Sequence, residues 1–400
     1  AGVAGSGLLA NVYNAADGGF ANAVTARNNS QPGNFNMAVL GAMLDGNGSQ
    51  FTVNGEKYAV TQGLVESYVG ANQYGRIAAA FDGVLDIGGA VFSRVGQINR
   101  QFAEARKFSG ADDALASAIL NRDYCNRVWF SGLGLWQDMD ARDGFAGYEY
   151  DSYGFITGLD RAFGAVTVGG AFSYASGDYE NKLAEQNNSD IDNFGFNLYA
   201  SYNHACGLFA SLLGGYALSD NNIREVVGGM AFKEDYNTNS WYLGGKLGYD
   251  WRPAANFSVT PSVGLTYVNA KAKGHNRYAG GIGPVVAYGS VRQKSTLLPI
   301  DLAVGYDITC LGEGNLNLSA NVGYSYNFDG DAVDGVASLV GLNNDISYDV
   351  RGGNPGRHTL NLGGAARFQF KRFDIGVRYD YYGKSGYDAH KLTGSVGVSF

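Results

Sequence analysis

The last eleven residues, His390 to Phe400, fix more about this chain than any other stretch. Leu392, Val396, Val398 and Phe400 share one face of an extended strand, and Lys391, Thr393, Ser395, Gly397 and Ser399 share the other. Successive side chains in a strand point to opposite faces, so one side is apolar to its last atom while the other is polar or small. Such a strand suits a wall with lipid on one side and water on the other, the condition of a closed β-barrel in a membrane.

The same alternation recurs from Arg127 onward. Phe194, Phe196, Leu198, Ala200 and Tyr202 interleave with polar or small residues, and Trp241, Leu243, Leu247, Tyr249 and Trp251 form an apolar face bracketed by aromatics. Further faces run through Phe257–Tyr267, Leu298–Ile308, Leu316–Phe328, Leu360–Phe370 and Phe373–Tyr381. About twelve strands follow, near 127–138, 147–161, 165–177, 190–204, 207–220, 235–252, 256–270, 291–310, 314–328, 356–370, 372–383 and 388–400. Tight links at 161–165, 204–207, 252–256, 310–315 and 370–374 alternate with the wider ones at 138–147, 177–190, 220–235, 270–291, 328–356 and 383–388. That rhythm matches periplasmic turns and extracellular loops, and an even strand count leaves both barrel ends on the periplasmic side. The expected fold class is therefore an all-β transmembrane barrel of about twelve antiparallel strands, with an α-helical N-terminal segment plugging or flanking its lumen. Asn197, Lys246, Asp301, Arg367 and Arg378 fall on the polar faces and are the expected lumen residues. A soluble sandwich of alternating strands is the competing reading, but it does not call for aromatics at both ends of its apolar faces.

Composition agrees. Gly is abundant at 60, Tyr stands at 27 and Pro at only 6, as turns and interfacial girdles require. Mean hydropathy is −0.15, and no run of eighteen apolar residues announces a transmembrane helix. The net charge of −8 argues against a nucleic-acid partner. Cys125, Cys206 and Cys310 lie far apart without metal-ligand spacing, and free or packed thiols are expected. No cofactor, metal or nucleotide signature is present. The chain opens Ala1-Gly2-Val3, which implies a mature piece whose signal peptide lies upstream.

The first 126 residues read differently. Short helices are expected near 7–27, 34–44 and 59–72. Ile77, Phe81, Val84, Gly88, Val91, Val95, Ile98 and Phe102 then fall on one helical stripe, with Asp82, Asp86, Arg94, Asn99, Arg100 and Glu104 elsewhere on the surface. The stripe fits a helix packed on its neighbours. A sharper reading threads this helix, or the shorter candidate near 111–121 capped by Asp112 or Asp113, through the lumen, and of the two the segment closest to the first strand is the expected lumen helix.

Several patches resemble a known family in their order. They are Val128-Trp129-Phe130-Ser131-Gly132-Leu133, Gly158-Leu159-Asp160-Arg161, Ser173-Tyr174-Ala175-Ser176-Gly177-Asp178, Tyr199-Ala200-Ser201-Tyr202, Thr260-Pro261-Ser262-Val263-Gly264-Leu265, Arg351-Gly352-Gly353-Asn354-Pro355-Gly356-Arg357 and the terminal Phe400. Over residues 127–400 the chain resembles the translocator barrel of monomeric (type V) autotransporters. The resemblance implies a bacterial outer-membrane barrel that carries its own upstream passenger to the cell surface. It implies three stretches: 1–74 as passenger remnant or junction, 75–126 as the linker-helix region and 127–400 as the barrel. It also implies that Val396, Val398 and Phe400 form the C-terminal signal read by the outer-membrane assembly machinery. Some members cut the linker at an Asn-Asn pair. Here those pairs stand at 28–29, 187–188, 221–222 and 343–344, none within 75–126, so self-cleavage is not expected.

Two rivals remain at this level. A stand-alone diffusion channel requires an open lumen. A surface protease of omptin type would use Asp388 and His390 facing Asp138 and Asp140 across the closing strands, all four acting on a water.

Overall fold

The computed structural model describes residues 31–45, 50–53, 55–61, 64, 73–107, 126–141, 147–182, 184–254, 256–309, 314–330, 334–341, 347–351, 356–370 and 372–400. Helix α1 (Pro32–Asp45) precedes a hairpin of β1 (Gln50–Val53) and β2 (Glu56–Ala59), and α2 (Gln73–Lys107) follows. Twelve of the described strands then build the barrel. They are β3 (Asn126–Met139), β4 (Tyr148–Phe163), β5 (Val166–Asn181), β6 (Asp190–Asn203), β7 (Leu208–Val227), β8 (Met230–Tyr249), β9 (Phe257–Ala272), β10 (Val291–Thr309), β11 (Gly314–Asn327), β12 (His358–Phe370), β13 (Phe373–Lys384) and β14 (Tyr387–Ser399). Each pairs antiparallel with the next, and β14 pairs with β3 from Tyr387↔Met139 to Ser399↔Arg127. Backbone bonds between Asn126 and Phe400, at 2.9 and 3.1 Å, finish the seam. Closure leaves no strand edge in lipid, which is what a hydrocarbon solvent demands.

The apolar alternation faces outward. Trp241, Leu243, Leu247, Tyr249 and Trp251 are exposed, as are Ile300, Leu302 and Val304, and Ile375, Val377 and Tyr379. A soluble sandwich would have buried these residues, so they mark the lipid-facing band. Crossing a membrane takes about 9–11 residues of tilted strand, so the 20-residue β7 and β8 run far beyond it. Above Trp241 the outward residues of β8 become Asn239, Asn237, Asp235 and Lys233, and on β4 and β5 they become Asp151, Glu149, Asp178 and Glu180.

The strand continuation corrects the expected loop at 220–235. Val227 pairs with Met230, so the connection is the two-residue Gly228–Gly229, with φ of 61° and 73°. A two-residue turn with both central residues at positive φ matches the twist of its flanking strands and favours glycine. The wide links at 270–291 and 328–356 are also structured. His275–Ala279 pairs with Gly283–Tyr288, and Asp334–Leu339 pairs with Ser347–Arg351. The two hairpins join each other through Val286↔Leu339 and Tyr288↔Ala337, and the first joins β8 through Ala279↔Phe232.

This outer superstructure has its own core. Phe35, Val39 and Met43 of α1, with Phe51, Val53, Val60 and Leu64, pack on Ile223, Phe232, Val285, Val286, Leu339 and Val350. Asn36 ties both hairpins to α1, donating to the Val285 carbonyl at 2.9 Å and the Val340 carbonyl at 2.7 Å. The helix expected near 34–44 coincides with α1. Of the helix expected at 59–72, Ala59 instead ends β2 and most of the remainder lies outside the described residues, as does all of 7–27 and 111–121.

Candidate functional site

Helix α2 occupies the bore, where the segment closest to the first strand was expected; that segment, near 111–121, lies outside the described residues. At about 1.5 Å per residue its 35 residues span roughly 52 Å, enough to thread the membrane and emerge on both sides. Its stripe meets the inner wall: Phe81, Val84, Ile87, Val91, Val95 and Ile98 pack on Trp129, Ile156, Tyr199, Leu213, Tyr242 and Val268. Glycine costs about 1 kcal/mol against alanine inside a helix. Here it permits close approach, since a Cβ on Gly88 would stand 3.1 Å from the Tyr242 ring and one on Gly83 3.4 Å from Asn193.

Among the described polar side chains of α2, Asp82, Asp86, Arg94 and Asn99 are not on an outer surface, whereas those of Arg100 and Glu104 lie outside the described residues. A bore encloses every face of its occupant, so Asp82, Asp86, Arg94 and Asn99 turn to the polar wall. Asp82 lies 3.8 Å from Lys384, and Asp86 lies 2.5 Å from Lys391, which also donates to the Asp86 carbonyl at 2.7 Å. Arg94 grips Asp160 through Nε at 3.1 Å and a terminal nitrogen at 2.9 Å, and its guanidinium sits 5.7 Å from the Trp129 ring centre. Asp160 also accepts from Tyr199 at 3.2 Å, and Tyr199 accepts from Trp129 Nε1 at 2.9 Å. Asn99 reaches Ser211 at 3.3 Å and accepts from Ser201.

These contacts set the helix polarity. Lys384 and Lys391 lie toward the end where β13 turns into β14, on the long-loop side. Ser201 and Ser211 flank the tight 204–207 link on the opposite side. The N-terminal half of α2 therefore faces outward and its C-terminal half faces the periplasmic turns.

Packing is eccentric, and a cavity of about 460 Å³ remains beside the helix. Lys246, Asp301, Asn321, Asn361, Arg378 and Asp380 line it. Lys246 pairs with Asp301 at 2.8 Å, and Arg378 contacts Asp380 at 2.5 Å and Asn321 at 2.7 Å. Arg367 pairs with Asp374 at 3.0 Å near the periplasmic end, and Asn197 is buried, accepting from the Tyr242 hydroxyl. Val396, Val398 and Phe400 point outward and are exposed. Cys206 is a free, exposed thiol in the 204–207 link, with His204 Nδ1 3.0 Å away, whereas Cys125 and Cys310 lie outside the described residues.

The protease constellation does not assemble as a dyad. Asp388 and Asp138 are cross-strand partners, but Asp138 is taken by Lys182 at 2.7 Å. The His390 ring faces outward and holds the Tyr379 hydroxyl at 2.7 Å, while Asp388 accepts from Tyr381 at 3.4 Å. Nor is α2 compatible with the open lumen of a stand-alone diffusion channel.

Comparison with known proteins agrees with this architecture. Outer membrane protein B of Rickettsia prowazekii is 23% identical over 319 residues, covering 74% of this chain and 19% of its own. The chain thus spans about a fifth of the length of the curated relatives it matches. The translocator domain of autotransporter NalP from Neisseria meningitidis superposes with a TM-score of 0.59 at 15% identity, covering 81% of this chain and 99% of that one. The β-domain of the Bordetella autotransporter BrkA gives 0.53 at 15% identity, covering 69% and 100%. The family model described as Autotransporter beta-domain matches residues 128–380, more than half of the chain. A closed, lipid-facing barrel filled by its own preceding helix and matched over that span belongs to the autotransporter β-domain family, the translocators of the bacterial outer membrane.

Proposed function

We propose that this translocator carries its own upstream passenger outward and then comes to rest with α2 seated as the plug. The observation that carries this reading is the polarity of α2. Its N-terminal end leaves the bore on the side of the long hairpins, so whatever precedes residue 31 is delivered to the outside. Residues 1–74 act as the junction, 75–126 as the linker through the pore and 127–400 as the barrel. The absence of an Asn-Asn pair in 75–126 favours a passenger that stays tethered.

Outward-facing Val396, Val398 and Phe400 present an apolar ridge to the assembly machinery that inserts the barrel, and lipid is the partner of the remaining outer face. Asn197, Lys246, Asp301, Arg367 and Arg378 keep the bore polar, so that a hydrated chain crosses without being trapped on an oily wall. No reaction is assigned to the barrel itself. An epitope placed before residue 31 tests the reading on intact cells. Surface labelling is expected without permeabilisation, and labelling that requires permeabilisation would overturn it.

A further inference from the structure

The seam between β14 and β3 is unusual in what it lacks. On the lipid side its central pair is Gly132 opposite Gly394, and the next pair outward, Gly134 opposite Leu392, is covered by the Trp136 ring. A Cβ added at Gly132 or Gly394 would meet nothing within 4 Å. Cross-strand side-chain pairs are the unit of sheet stabilisation, and a Gly–Gly pair supplies none. Backbone hydrogen bonds therefore hold the seam at Gly132–Gly394 with little lateral help from outside.

Help comes from inside. Helix α2 grips the last two strands through Asp82–Lys384 at 3.8 Å and Asp86–Lys391 at 2.5 Å. Two turns further on, Arg94 grips the first two strands through the Trp129 ring at 5.7 Å and Asp160 at 2.9 Å. The anchors straddle the seam, with β13 and β14 on one side and β3 and β4 on the other. Lys391, Arg94 and Asp160 are almost fully shielded from solvent, so these charges are weakly screened.

We propose that α2 is an internal staple across the β14–β3 seam, with Lys384, Lys391, Trp129 and Asp160 as the positioning residues it draws together. The seam is fully zipped only when the helix is seated. A barrel whose bore still holds a chain in transit has a built-in place to loosen, and seating of α2 ends that state. The inference rests on α2 being the final plug, but it is separable from export, which is scored by surface display of the passenger.

Hydrogen exchange of the full chain in lipid nanodiscs tests it. In Lys384→Gln/Lys391→Gln, amides in 128–136 and 390–398 are expected to exchange at least tenfold faster, with β8 and β9 unchanged. Reversing one pair, Asp86→Lys with Lys391→Asp, is expected to restore slow exchange at the seam. If the double variant fails to assemble, Lys391→Gln alone carries the same comparison. Seam rates that ignore these changes, or that rise equally around the barrel, overturn the staple. If the passenger still reaches the surface in that case, the export reading survives and only the staple falls.

Discussion

The Arg94–Asp160 pair is the most informative place to disturb the plug. Both side chains are almost fully buried, at 4% and 2% exposure, and Arg94 binds one carboxylate oxygen through two nitrogens. In Arg94→Met the volume is roughly kept, and Asp160 retains the Tyr199 hydroxyl and the field of the neighbouring Arg127 guanidinium. Removing one member of a buried pair costs about 3–5 kcal/mol when the survivor is left uncompensated, and Arg127 beside Asp160 puts this case toward the lower end. Since each 1.36 kcal/mol is a factor of ten, seating of α2 should weaken by roughly two to three powers of ten.

Planar-bilayer recording reads this directly as time spent in a large-conductance state, which the seated helix suppresses. Wild-type barrels are expected to remain at low conductance, and Arg94→Met to open frequently. High salt should change little, because a buried pair is weakly screened. The companion variant Arg94→Met/Asp160→Leu removes both charges. Replacing a buried pair by packed apolar residues is often neutral or stabilising, so closure should largely return. An Arg94→Met barrel as quiet as wild type would refute the reasoning, and so would a double variant as leaky as the single one.

Four smaller outcomes follow from other parts of the molecule. Phe400→Ala should lower the amount of heat-modifiable barrel in outer-membrane fractions, because it removes the last residue of the apolar ridge; an unchanged yield argues against an assembly role. Asn36→Ala should leave the Val340 carbonyl without its side-chain donor, at about 1–3 kcal/mol, while the Val285 carbonyl keeps the Val340 amide at 3.1 Å; proteolysis within 275–288 should accelerate while barrel melting stays put. Burial, then Glu149, Asp178 and Glu180, push the Asp151 carboxyl up, and burial with Asp178 and Asp192 does the same to Asp190. An acid raised on folding adds stability below its unfolded pKa and loses it as pH rises through the folded value, so these outer strand ends should tighten below about pH 4. Asp178→Asn, opposite both groups, should slow their local exchange a few-fold at pH 7 and flatten that pH dependence. Finally, His390→Ala should leave whole-cell proteolysis unchanged, and a loss of cleavage would revive the protease reading.

The wall of this barrel was legible because its code is local. A period of two needs only a strand's own residues, so the faces through Trp241–Trp251 and Leu392–Phe400 could be assigned without knowing any partner. The outer hairpins were harder, because pairing Val286 with Leu339 joins segments 53 residues apart. Even so, two local signals were there to be used. Gly228–Gly229 between Val227 and Met230, and Asn54–Gly55 between Thr52-Val53 and Lys57-Tyr58, both have the composition of tight hairpin turns. A reading built on polar loops and alanine-rich helices passes over them. The helical stripe of α2 was equally plain, but a stripe identifies the buried face of a helix and not its host. Asp86, Arg94 and Asn99 looked like an outer surface because nothing in 3.6-residue periodicity says that a second, polar wall faces them.

The distribution of apolar contacts also imposes an order on folding. The barrel wall spends its large side chains on lipid, so its interior has little core except what the preceding chain brings. Residues 32–64 are in the same position. Their described part holds α1 and the β1–β2 hairpin, far below the size at which a segment stands alone, and its buried side chains close on Phe232, Val285 and Leu339 of the barrel. They lie beyond the outward end of α2, so they must clear the bore before α2 can seat. Packing outside then opposes their return, because re-entry would expose that core to water. On the proposed export route, residues 32–64 are thus the segment the outer hairpins are shaped to hold, and α2 seats behind them in the bore.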